Sequence, residues 1–177
     1  MKRLPHSMLI ALESWKDRSR DPEFGDDAYN AYYDVVGELP TVFDEGELGN
    51  AASGLSRLQR NVGALLRFSN TISFDGLAVG VIVNEPELVG CAEVAAKEHS
   101  LASVQAFCEA LRKSLPEGLL EVATADDRYD KIENDTDLQE SLEELEDSTL
   151  MTDARCEMVL KAMQLAAENT EEFFEAS

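Results

Sequence analysis

The sequence predicts an all-α fold: a single-domain, multi-helix bundle over residues 1–177 with an acidic C-terminal third. Two observations predict the class. Apolar residues recur at three-and-four spacing in one segment after another, and Pro and Gly punctuate the boundaries between those segments. A third observation sets the scale, because 177 residues with 44% hydrophobic content suffice for a proper core and argue against wholesale disorder.

Residues 7–18 read as a first helix, with Met8, Leu9, Leu12 and Trp15 on one face and Glu13, Lys16 and Asp17 opposite. A loop follows, then a second helix from Asp27 to Glu38 that Gly37 and Pro40 stop. From Leu55 the series Leu58, Val62, Leu65 and Leu66 gives a core-facing helix decorated by Arg57, Arg60 and Arg67. Phe74 to Val83 is read as a buried helix. Its β-branched residues leave a strand open, while Gly76 and Gly80 would permit close helix packing.

Asn84, followed by Glu85, Pro86 and Glu87, has the makings of a helix start: a cap, an early proline and first-turn acids. That helix ends at His99. Ser100 is expected to cap the next one, where Leu101, Val104, Phe107, Cys108, Leu111 and Leu115 form an apolar stripe up to Pro116. The short connection makes the pair an antiparallel hairpin. Asp126 to Asp137 reads as a polar loop, and Asp137 to Leu150 as an amphipathic helix built on Leu138, Leu142 and Leu145. A final helix over about residues 152–175 presents Val159, Ala162, Met163, Ala166, Phe173 and Phe174.

Charge is the distinguishing property. Lys and Arg number 15 against 36 Asp and Glu, a formal net of −21, and residues 117–177 hold 19 of the acids with four bases. Such a field repels nucleic-acid phosphates and anionic membranes and speeds encounter with basic partners, although it also keeps a protein soluble. Cys91, Cys108 and Cys156 lie far apart on apolar helical positions, which reads as reduced structural cysteine. Met8 to Leu12 is too short an apolar run for a signal peptide, and Leu77 to Val83 falls far below the roughly 20 residues that cross a bilayer. A cytoplasmic location is expected.

Catalytic signatures are missing. His6 and His99 have no second nitrogen or sulfur ligand at helical spacing, and there is no GxSxG, phosphate-binding glycine loop or dinucleotide fingerprint. Glu133, Asp135, Asp137 and Glu144 have EF-hand-like spacing, but Leu138 stands where that loop needs Gly. No metal or cofactor is expected, and the chain is read as a binding protein, not an enzyme. The enzyme alternative would use carboxylates, or Arg57, Arg60 and Arg67, in a pocket.

The remaining feature is the acidic cluster. Asp126, Asp127, Asp130, Glu133, Asp135 and Asp137 lead into a helix bearing Glu140, Glu143, Glu144, Glu146 and Asp147. Helix positions three or four apart lie roughly 5–6 Å from each other. Phosphates of one DNA strand rise about 3.4 Å per step, so alternate ones come close to that spacing. A carboxylate row can thus occupy Lys and Arg pockets built for phosphates. The bland reading is a solvated helix face, but acids four apart repel, a cost that invites a compensating role.

Asn61 to Asn70 (Asn-Val-Gly-Ala-Leu-Leu-Arg-Phe-Ser-Asn), the stop Leu115-Pro116-Glu117-Gly118 and the acidic run Leu142 to Asp147 resemble the all-helical bacterial DNA-mimic protein family over roughly residues 58–150. Val62-Gly63-Ala64 stands where that family has Gly-Gly-Phe. The resemblance implies an acidic homodimer that occupies the DNA-binding surface of a transcription regulator. The expected partner is a basic protein, with no direct nucleic acid and no membrane. An immunity or antitoxin protein neutralising a basic toxin shares the physics and differs in its partner. Phe173 and Phe174, near the terminus, need cover, and a second subunit is one source of it.

Overall fold

The structure, a computed structural model, describes residues 3–7, 9–10, 54–122 and 124–176. These residues are all-α: α1 Arg57–Asp75, a π-helix Gly76–Asn84, α2 Glu87–His99, α3 Ala102–Ser114, a 3₁₀ turn Leu119–Glu121, α4 Ala125–Glu133, α5 Thr136–Glu146, α6 Thr149–Glu168 and α7 Thr170–Phe173. Their one non-helical pairing is an isolated parallel bridge between Leu4 and Phe174. Of the first predicted helix only Ser7, Leu9 and Ile10 are described, and all three are helical, as is His6 before them. The predicted helix Asp27 to Glu38 lies outside the described residues.

The chain packs as two compact units, Met1–Leu66 with Val159–Ser177, and Arg67–Met158. In the first, Leu55, Val62, Leu65 and Leu66 of the α1 region are buried as their spacing predicts while Leu58 of the same series is half-buried, and Val159, Ala162, Met163 and Ala166 of α6 are buried. Phe173 and Phe174 are buried too, and the backbone beside them is tied down by Leu4, which donates to the Phe173 carbonyl at 2.9 Å and accepts from Glu175 N at 2.8 Å. The chain therefore covers its own C-terminal phenylalanines. The predicted final helix breaks at Asn169, so that α7 turns these two rings inward.

In the second unit α2 and α3 form the expected hairpin, and α3 packs on α5. The Phe68 and Phe107 rings meet at 6.1 Å. Ser100 ends α2 in the left-handed region (φ 57°), and does not cap α3. Glu157 of α6 supplies that cap instead, accepting from Ser103 N at 2.8 Å and Val104 N at 3.1 Å. The expected start at Asn84 is also displaced. Pro86 is the N-cap of α2, while Glu85 turns back to pair with Arg67, at 2.8 Å from Nε and 2.5 Å from Nη2.

Phe74 to Val83 is helical, as read, but in the wider π form over Gly76–Asn84, with Leu77, Val81, Ile82 and Val83 buried. Gly76 turns the chain out of α1 with φ 79°, a conformation that costs a side-chain-bearing residue energy. At Gly80 an added Cβ would lie 2.8 Å from Asp75 Cβ, 2.9 Å from Thr71 Cγ2 and 3.0 Å from the Thr71 carbonyl. Gly80→Ala should therefore cost about 2 kcal/mol through overpacking, read as a lower urea midpoint at constant slope. The helical stretch Arg57–Asn84 has the length and apolar character of a membrane span, yet 56% of its most apolar window is buried inside the protein.

Candidate protein-docking surface

Asp126 to Asp137, read as a loop, is mostly helix α4. Thr124 is its N-cap, its Oγ1 accepting from Asp127 N at 3.1 Å, and the Thr124 hydroxyl donates to Asp127 Oδ2 at 2.6 Å. First-turn Asp126 and Asp127 suit the positive end of the helix dipole. The inward positions of α4 are Arg128 and Ile132. Arg128 is 7% exposed, and its guanidinium is spent on backbone carbonyls: Nε and Nη2 donate to Val83 O at 2.9 and 2.6 Å, and Nη1 donates to Val122 O. A buried cation thus ties α4 to the C-terminal end of the π-helix.

After a two-residue joint, Asp135 caps α5 by accepting from Leu138 N at 3.0 Å. Of the predicted Leu138, Leu142 and Leu145, the first two bury the inner face and Leu145 is half-buried. The acids at the far end of α5 run against the dipole. Its last turn holds no base, while Glu143, Glu144, Glu146 and Asp147 gather at the negative terminus.

Ten of the eleven predicted carboxylates are exposed: Asp126, Asp127, Asp130, Glu133, Asp135, Asp137, Glu140, Glu143, Glu144 and Asp147. Among the described residues, ion pairs join Arg67 to Glu85, Arg112 to Glu93 and Lys113 to Glu109, and none of the eleven takes part in one. The two bases of α4 do little to neutralise the row, because Arg128 faces inward and Lys131 is a single exposed charge. Asp127 and Asp135 are engaged in caps at helix starts. Glu146 stands apart, half-buried, its Oε2 accepting from Leu77 N at 2.9 Å. Sequence reasoning missed Tyr129, 46% exposed among these acids, because the segment around it read as a polar loop.

Comparison with protein-family models, with characterised proteins and with solved structures gave no match to this chain. The site therefore has to be read from its own geometry. An open groove of about 400 Å³ lies on the α2–α3 hairpin. Four of its five charged groups are mutually committed, Arg112 to Glu93 and Lys113 to Glu109, and Lys97 is the fifth. Burial, helped by Glu93, pushes the Cys108 thiol lining it up to about 12, so at neutral pH it is a protonated packing group and a poor nucleophile. Of the arginines considered for a pocket, Arg60 donates to the Leu55 carbonyl at 2.9 Å and Arg67 is held by Glu85.

Proposed function

We propose that the chain is an acidic docking module whose α4–α5 face stands in for a nucleic-acid backbone on the basic surface of a partner, such as a transcription regulator. The observation that carries this reading is the row of ten exposed carboxylates on two consecutive helices, outside every ion pair of the described residues. Elsewhere in the same unit Glu85, Glu93 and Glu109 are paired with bases, and the exposed Asp75, Glu87, Glu117, Glu121 and Asp153, which lie outside those pairs, form no comparable row along two consecutive helices. A surface shaped only for solubility gains nothing from lining up like charges at repulsive helical spacing. Tyr129 adds an aromatic contact of the kind enriched at binding hot spots. The same reading places the chain in the cytoplasm as a non-enzymatic inhibitor. A homodimer, as in the DNA-mimic proteins it resembles, belongs to this reading, although the C-terminal phenylalanines no longer argue for it.

Pull-down from native lysate at low salt, followed by a rising salt gradient, tests the proposal. A basic DNA-binding protein should elute as salt screens the contact, and adding the chain to that protein's DNA complex should release the DNA. A basic nuclease in its place would make the chain an immunity protein acting through the same face. If nothing basic is retained, the docking reading fails.

A further inference from the structure

The two ends of the π-helix are held by the two helices that carry the acids. At its start, Glu146 of α5 accepts from Leu77 N at 2.9 Å and lies against Gly76. At its end, Arg128 of α4 takes the Val83 carbonyl with two donors. Both α4 and α5 pack along the π-helix as well as on each other. A π-helix is a rare element, most often confined to a single turn, whereas this one runs nine residues. Its wide form persists here with charged side chains from outside fastening both termini.

We infer that the π-helix is the spacer that sets α4 against α5, and that Glu146 and Arg128 are positioning residues for partner recognition. Glu146 thus serves the acidic face by geometry and not as one of its contact charges. This inference rests on the docking reading. A rigid basic surface has cationic groups at fixed separations, so it senses the spacing between the two helices. A flexible cationic peptide adapts to either spacing and senses charge alone.

Two substitutions separate position from charge. Glu146→Gln removes the charge but keeps a side-chain oxygen for Leu77 N, while Glu146→Ala removes both. Each is tested in the full chain at low ionic strength against a homeodomain, as a rigid basic probe, and an oligo-arginine peptide, as a flexible one. Amide hydrogen exchange at Leu77 provides a readout independent of binding.

Glu146→Gln should bind the homeodomain within about twofold of the parent and keep Leu77 protected. Glu146→Ala should lose roughly tenfold on the homeodomain, about twofold or less on the peptide, and the protection of Leu77. Equal losses for the two variants would reduce Glu146 to a contact charge and overturn the inference while leaving the docking reading intact. So would unchanged Leu77 exchange in Glu146→Ala. If the parent chain binds neither probe, the docking reading falls and the inference with it. Should Glu146→Ala not fold, Arg128→Lys replaces it, since a lysine has a single nitrogen to offer Val83 and Val122; the same tenfold homeodomain loss with peptide binding kept is expected, and its absence overturns the inference.

Discussion

Arg128→Met should destabilise the Arg67–Met158 unit by about 3 kcal/mol, the largest stability loss expected from any single change on α4. Methionine roughly fills the volume of the arginine stem but leaves Val83 O and Val122 O without their donors. An unsatisfied buried polar group costs about 1–3 kcal/mol, and hydrogen bonds from charged donors lie at the strong end of the scale. The opposing effect is relief from desolvating a cation, which can make a hydrophobic replacement of a buried charge neutral or better. Here the loss wins for two reasons. Apolar replacement succeeds when every member of a polar cluster is replaced, and the two carbonyls remain. Arg128 also shares α4 with the exposed Asp126, Asp127, Asp130 and Glu133, whose field favours a cation on that helix. Urea unfolding followed by far-UV circular dichroism should show a reduced midpoint with an unchanged slope. Arg128→Lys should recover part of the loss. A Met variant within about 0.5 kcal/mol of the parent would mean that water satisfies both carbonyls, and that the guanidinium is dispensable to the fold.

The contrast between α4 and α5 shows what the sequence could reveal. In α5, Leu138 and Leu142 repeat at helical spacing and both turn inward, so periodicity found the helix. In α4 the inward pair is Arg128 and Ile132, and a pattern with one apolar member carries almost no periodic signal. The usable signal lay in capping: Thr124 followed three residues later by Asp127 is an N-terminal pattern, overlooked because the acids around it read as loop. The π-helix was legible as a buried helix but not as a π-helix, since its turn is wider than the 3.6-residue period against which sequences are judged. Exposure of the α5 acids followed from the leucines opposite them, and that of the α4 acids from their polar surroundings. What set Glu146 apart did not, because its partner Leu77 N belongs to an element remote in sequence. The cover of Phe173 and Phe174 was hidden for the same reason, as Leu4 comes from the other end of the chain.

The triple reversal Asp130→Lys, Glu140→Lys and Asp147→Lys should weaken docking at least a hundredfold, about 3 kcal/mol, while leaving the protein as stable as the parent or slightly more so. These three side chains are exposed and lie outside the ion pairs of the described residues, so the fold does not depend on them. Each reversal changes the formal charge by two, taking −21 to −15, and the chain stays strongly acidic and soluble. Each also converts like-charge neighbours into opposite ones: Asp130 with Asp126 and Glu133, Glu140 with Glu144, and Asp147 with Glu143. At roughly 0.2–0.5 kcal/mol per helical pair, the summed relief is about 1 kcal/mol. Lys at position 147 further suits the negative end of α5. The two effects have opposite signs, and that decides between the readings of the acidic face. If the carboxylates form a docking row, three lysines confront cationic pockets and binding collapses even as unfolding moves to higher urea. If the row serves solubility alone, stability rises in the same way but retention of the captured basic protein, and its salt of elution, stay where they were. Affinity measured at two salt concentrations alongside a urea titration therefore separates a face maintained for recognition, at a small cost in stability, from one that only keeps the chain dissolved.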